Sequence, residues 1–182
     1  MDGTETLVVN ALGAFEVWLG STRGIVPTRT KAKALLAYLT LQRGTPVSRE
    51  RLIEVFWPDA DPRAGRANLN TALWDIRRAL RKTGAEAESA LTTTQSIAQI
   101  AGETGTDVSS FVSLAASGNN ALLREAFALY RGDFLEGDYC EWSIAQRENL
   151  ASTFEDVQAR LLWSSHDPAL ARGLIARNPY HE

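Results

Sequence analysis

The chain is 182 residues long, 45% hydrophobic and 23% charged, a balance that excludes a mainly disordered polypeptide and gives room for one domain or two small ones. No run approaches the ~18 apolar residues of a membrane span and no basic residue precedes Arg23 as a secretory n-region, so the expected localisation is cytoplasmic, with no membrane partner. The formal net charge of −3 conceals a division: 13 Lys and Arg face 10 Asp and Glu up to Ala101, but 6 face 12 from Gly102 onward, which suggests two modules.

Leu7, Val8 and Val9, then Phe15, Val17 and Leu19 in alternation, predict two short strands separated by Gly13 and closed by Gly20, Ser21 and Thr22. Ile25 and Val26 are expected to add another strand before Pro27. Over 29–43 the period changes to that of a helix, with Ala32, Leu35, Leu36 and Leu39 on one face, Thr28 or Thr30 as its cap and Gly44 as its end. A second helix is signalled by Ser48 as cap, by the inner positions Leu52, Val55 and Phe56, and by Pro58 as stop.

A third helix is predicted to run from Pro62 or Arg63 to Thr83, with Asp61 as N-cap and Gly84 just past its end. Leu69, Leu73, Ile76 and Leu80 form its apolar stripe. Turning about 100° per residue places Ala67, Thr71, Trp74, Arg78 and Arg81 on the opposite face, with Asp75 and Lys82 beside them and Asn70 and Arg77 on the flanks. The segment 28–83 carries 12 Lys and Arg against 5 Asp and Glu, and no Lys or Arg occurs between Lys82 and Arg124. Two β-prone runs, 91–94 and 97–100, read as a hairpin around Gln95 and Ser96.

The second half is helical in pattern. Asp107 is the expected cap of a short helix with Val108, Phe111, Val112 and Leu114; Asn119 or Asn120 opens another through Leu122, Leu123, Ala126, Phe127 and Tyr130 to Gly132. Asp138 opens a long helix with Trp142, Ala145, Leu150, Phe154, Val157, Leu161 and Leu162, and Asp167-Pro168 starts a shorter one to about Arg177, broken by Asn178-Pro179. Cys140, the only cysteine, excludes an intramolecular disulfide and multi-cysteine zinc patterns, and reads as a small buried apolar residue. Helix pairs joined by tight turns are the unit of tetratricopeptide-like arrays, although no repeat of ~34 residues is present.

The expected fold class is therefore an α+β winged helix-turn-helix N-terminal domain, residues 1–102, followed by an all-α tetratricopeptide-like helical domain, residues 103–182, which the sequence suggests is truncated at its C-terminus. An α-helix fits the major groove, Arg can donate two hydrogen bonds to guanine, and Asn can bond adenine in the same bidentate way. Arg78 and Arg81 are expected to face DNA, Asn70 and Thr71 to reach base edges, and Lys31, Lys33, Arg49 and Arg51 to meet phosphates.

The segments Arg29-Thr30-Lys31-Ala32-Lys33-Ala34-Leu35-Leu36-Ala37-Tyr38-Leu39, Pro46-Val47-Ser48-Arg49-Glu50-Arg51-Leu52, Phe56-Trp57-Pro58-Asp59, and Asn68-Leu69 with Ile76-Arg77-Arg78-Ala79-Leu80 resemble the OmpR-like winged-helix domain of the SARP family of bacterial transcriptional activators. Thr106-Asp107-Val108-Ser109-Ser110-Phe111, Ala128-Leu129-Tyr130-Arg131-Gly132-Asp133-Phe134-Leu135, Trp142 and Asn178-Pro179-Tyr180-His181-Glu182 resemble the bacterial transcriptional activator domain that follows it. The resemblance implies a regulator that binds double-stranded promoter DNA, as a homodimer on direct repeats, and recruits RNA polymerase. It also implies that Thr71, Trp74, Arg78 and Arg81 lie on the DNA face and that the loop 58–66 lies where related proteins touch polymerase.

This chain departs from that pattern in the presumed wing, which has no Lys or Arg and carries Gln95 at its tip, and at Trp74 and Asp75, where polar or basic residues are more usual. On an outer face, Asp75 would repel phosphate unless it accepts from a cytosine amine or pairs with Arg78 or Arg81. These departures motivate an alternative, a protein-interaction module in which Trp74 is an exposed anchor and the winged helix no longer binds DNA strongly. Asp133, Glu136, Asp138 and Glu141 flank a turn and helix start, where capping is expected rather than metal binding. His166 and His181 lie near no nucleophile motif, and Gly102-Glu103-Thr104-Gly105 lacks the Gly-Lys-Ser/Thr of a phosphate loop. No catalytic residue, metal or cofactor is expected, and the chain is not read as an enzyme.

Overall fold

The computed structural model describes residues 6–164. The helix expected over 167–177, its break at Asn178-Pro179, and both histidines lie outside the described residues.

Chain order gives β1 (Leu7–Asn10), β2 (Glu16–Leu19), β3 (Thr22–Arg23), α1 (Thr30–Leu41), β4 (Val47–Ser48), α2 (Arg49–Phe56), α3 (Pro62–Thr83), α4 (Ala85–Ser89), β5 (Leu91–Thr93), β6 (Ile97–Ile100), β7 (Gly105–Thr106), α5 (Asp107–Ala115), α6 (Asn120–Leu129) and α7 (Glu141–Ser164). Two small sheets flank the helices. One has the order β3-β2-β1-β7, antiparallel except for the parallel pair β1/β7; the other has the order β4-β6-β5 and is antiparallel throughout.

The third strand is Thr22–Arg23 and not Ile25-Val26, which lies in a loop with Ile25 exposed. Thr22 and Arg23 pair directly back on Leu19 and Trp18 across the tight Gly20-Ser21 turn, so the hairpin closes before the apolar pair is reached. The short helix α4 was not expected. Its five residues, Ala85–Ser89, bury only Ala87, too little apolar surface to leave a periodic signal.

The cap signals in the middle of the chain correspond to observed caps. Ser48 accepts from the Arg51 N–H, Asp61 accepts from the N–H groups of Arg63 and Ala64 with Pro62 at the first helical position, and Asn119 accepts from Ala121. Three others differ. The N-cap of α1 is Arg29 and makes no side-chain cap bond; the carboxylate of Asp75, from α3, accepts from the Thr28 and Arg29 N–H groups, each at 2.9 Å. The N-cap of α5 is Thr106, while Asp107 reaches back to the N–H groups of Ala11 and Leu12 at 2.9 Å. Helix α7 begins at Glu141, and buried Asp138 organises the turn before it by accepting from the Cys140 N–H at 3.0 Å and the Ser143 hydroxyl at 2.7 Å.

Helix α1 has no solvent face over most of its length. Ala32 and every residue from Ala34 to Thr40 are buried, because α3 and β6 pack on it as well as β1 and β7. The expectation of a single apolar face is therefore too narrow. Conversely, Val112, Ala145 and Leu162 are exposed. Gly65 allows α2 and α3 to approach: a Cβ there would lie 2.6 Å from the Ile53 Cγ2 atom, inside van der Waals contact.

Candidate nucleic-acid interface

Helix α3 is held from below by Leu69, Leu73, Ile76 and Leu80, all buried as the spacing predicts. This fixes which residues face solvent. Arg63, Arg66, Ala67, Asn70, Thr71, Trp74, Arg78, Arg81 and Lys82 are exposed along its outer side. Trp74 is 56% exposed, and the Arg78 guanidinium carbon sits 5.4 Å from the centre of its ring, a cation–π contact one helical turn apart.

Asp75 is not on that face. It is 2% exposed, and besides the two backbone N–H groups it accepts from the Thr28 hydroxyl at 3.0 Å. The expectation of a carboxylate facing phosphate, or pairing with Arg78 or Arg81, is thus corrected. Burial follows from its place one residue before Ile76, on the side of α3 that covers the entry to α1.

The hairpin β5/β6 stands beside α3, in the register Leu91↔Ile100, Thr92↔Gln99 and Thr93↔Ala98. Its turn is closed by the Thr94 N–H donating to the Ile97 carbonyl at 2.9 Å, while the Thr94 hydroxyl oxygen accepts from the N–H groups of Ser96 and Ile97 at 3.2 Å. None of residues 94–97 of this turn is itself a cation. Strand β4 adds to the hairpin on β6, and the Arg49 N–H donates to the Ser96 carbonyl at 2.9 Å, so the start of α2 is tied to the wing.

The side chains expected to contact DNA divide into three groups. Thr71, Trp74 and Arg78 share the outer face of α3, and Arg78 forms no ion pair among the described residues. Three others near them are engaged by the protein: Arg49 donates to Asn70 Oδ1 and to the Thr94 carbonyl, and Arg81 pairs with Glu88 of α4 at 2.8 Å. That bond holds the Glu88 carboxyl below its ordinary range. Arg51, on α2, pairs with Glu54 at 3.4 Å. Lys31 and Lys33 are apart from this group. Lys31 lines a cleft of about 760 Å³ with Trp57, Asp59, Tyr139, Glu141 and Trp142, and Lys33 lines another with Phe15, Glu136 and Asp138.

Sequence reasoning left Arg63 and Arg66 out of the DNA-facing set and placed Arg77 only on the flank of α3. Arg63 precedes Ala67 by four residues and extends the same exposed row, a signal the spacing already contained. Arg77 is half-buried and donates to the Thr93 hydroxyl, a second tie between α3 and the hairpin. Among the described residues no group of three or more His, Cys, Asp or Glu is placed to hold a metal ion, and no helix is long and apolar enough to cross a membrane. Cys140 is buried, and desolvation pushes its thiol pKa up.

No family model and no curated protein matches this chain. Among solved structures, it is similar to Mycobacterium tuberculosis EmbR in complex with a low-affinity phosphopeptide, at 20% identity and a TM-score of 0.73. The likeness covers 94% of this chain and 48% of that one, so this chain spans about half the length of its structural neighbour. What the likeness shows is the fold.

Proposed function

We propose that the protein is a sequence-specific DNA-binding transcriptional regulator of the SARP type, built from an OmpR-like winged helix and a tetratricopeptide-like helical domain, with α3 as the helix that enters the major groove. The observation that carries this reading is the solvent face of α3. It presents Thr71, Trp74 and Arg78 together, with Arg63 and Arg66 toward its start, while its other side is fixed in the core and its flanks are tied to the β5/β6 hairpin. A rigid, cationic helix on a scaffold is what base readout requires. The fold likeness to EmbR and the order of the motifs support the same reading.

The helical half supplies the surfaces proposed for self-association on direct repeats. The segment 58–66, which is the loop before α3 and its first turn, is proposed to meet RNA polymerase through its exposed Pro58 and Asp59. Cytoplasmic, nucleoid-associated localisation and the absence of enzymatic activity belong to this reading.

The test is fluorescence anisotropy with duplex DNA from upstream of the protein's own operon, across a salt series, with a scrambled duplex as control. Selective binding whose logarithm falls linearly with the logarithm of salt concentration is expected. Equal, weak binding to both duplexes at low salt overturns the reading. The alternative, a protein-interaction module, is favoured by one observation: the wing tip carries Thr94, Gln95 and Ser96 where a cation would serve DNA, next to an exposed Trp74. Loss of self-association on Trp74→Ala, with no DNA binding by the parent chain, is the result that selects it.

A further inference from the structure

The solvent face of α3 offers fewer free readers than its composition suggests. Asn70 Oδ1, which bidentate contact with adenine would require, already accepts from the Arg49 guanidinium. Arg77 donates to Thr93, and Arg81 is bonded to Glu88 at 2.9 Å. The Thr71 hydroxyl proton is taken up by the Ala67 carbonyl at 2.9 Å. In the middle of that face, between the cations Arg63 near its start and Lys82 at its end, one pair is left. Arg78 has no carboxylate partner among the described residues, and its contact is with the face of a ring, which leaves its N–H donors available.

We infer that Trp74 and Arg78 act as one reader of a thymine–guanine step in duplex DNA. Arg78 donates two N–H groups to guanine O6 and N7, and the Trp74 indole packs on the C5-methyl of the adjacent thymine. This assignment rests on the DNA-binding reading above and specifies what is read. Guanine is the base that presents two acceptors to a guanidinium in the major groove, and thymine is the base that presents an apolar group there. The guanidinium lies over the ring at 5.4 Å from its centre, so the two groups address bases close together on the duplex, where the stacking repeat is about 3.4 Å, and the adjacent step is the arrangement inferred.

The 182-residue chain is first used to enrich binders from a random-sequence duplex pool, and a thymine–guanine step is expected in the enriched sequence. Deoxyuridine is then placed at that thymine, which removes only the methyl group, and binding is expected to weaken by roughly fourfold. Trp74→Ala binds the thymine and uracil duplexes equally. Arg78→Ala loses about tenfold or more of the preference for guanine over adenine at the next position. Both side chains are exposed, so circular dichroism of each variant should match the parent. An enriched sequence without that step, or a parent chain that does not distinguish thymine from uracil, overturns the inference and leaves DNA binding standing. No enrichment at low salt overturns both.

Discussion

Asp75 follows Trp74 in the chain, yet the indole is in solvent and the carboxylate is enclosed, holding the Thr28 and Arg29 N–H groups and the Thr28 hydroxyl. Removing it leaves these donors without an acceptor where the chain turns into α1. Asp75→Ala should therefore cost about 2–4 kcal/mol in urea unfolding, and Thr28→Ala, which removes only the hydroxyl bond, about 1 kcal/mol. Unchanged stability of Asp75→Ala together with tighter DNA binding would instead put the carboxylate on the phosphate side. Asp107 allows a different test. Burial raises its pKa from the ordinary 3.8, only partly opposed by the Ala11 and Leu12 N–H groups and by Arg131. For an acid so raised, the folded state favours the protonated form: its stabilising contribution is complete below the ordinary value and is lost as pH climbs through the raised one. The stability advantage of the parent chain over Asp107→Asn should accordingly shrink as pH rises above the ordinary carboxylate range, read from paired urea midpoints. A gap that widens with pH contradicts this sign.

At the scale of elements, α3, α4 and the hairpin form one unit in which α4 limits the charge α3 offers. The Arg81–Glu88 bond joins the last turn of α3 to α4, and both side chains are exposed at this junction or partly so. Glu88→Gln removes the charge that neutralises Arg81. Duplex affinity should then rise modestly at low salt, and the slope of log affinity against log salt should steepen by about one. An unchanged slope would mean that Arg81 lies out of reach of the backbone. The unit also shows which parts of the fold the sequence discloses. Helix α3 is legible because its cap is local, Asp61 to Arg63 and Ala64, and its stripe repeats from Leu69 to Leu80 within a helix of 22 residues. Helix α2 is legible for the same reasons. By contrast, α4 is too short to show a period, and Asp75 bonds residues 46 and 47 positions away, which no local pattern records. The engagement of Asn70 by Arg49 and of Arg81 by Glu88 is equally non-local. Thus the exposed row of α3 can be read from spacing, whereas which of its members remain free cannot.

Over the whole molecule, the charge boundary near residue 102 does not divide the core. Strand β7 and Asp107 lie beyond that boundary but bond β1 and the N–H groups of Ala11 and Leu12. Gly13 and Leu135 continue the seam: the Gly13 N–H donates to the Asp133 carbonyl and the Leu135 N–H to the Ala11 carbonyl, both at 3.1 Å. Gly13 has φ +85° and lies against the backbone of Arg131 and Gly132, so a larger residue would strain the turn and wedge the halves apart. Trp142 of α7 completes the junction, with its ring 4.9 Å from Tyr38 of α1, 5.9 Å from Phe56 of α2 and 5.6 Å from Phe134. Two consequences follow for stability. Trp142→Ala should cost about 2–3 kcal/mol, less than a fully buried aromatic, because it removes a large, half-buried side chain from a cluster fed by three elements. A fragment of residues 1–102 should not fold cooperatively, since it lacks β7, Asp107 and Trp142 and would expose the side of α1 that they cover. In the intact chain, tryptophan fluorescence and far-ultraviolet circular dichroism should report one coincident urea transition. A fragment of 1–102 that unfolds in a sharp transition at the parent midpoint would show that the first half is self-sufficient. With the core shared, the helical half is part of what keeps α1 in place beneath α3, and so of what holds the outer face of α3 in position.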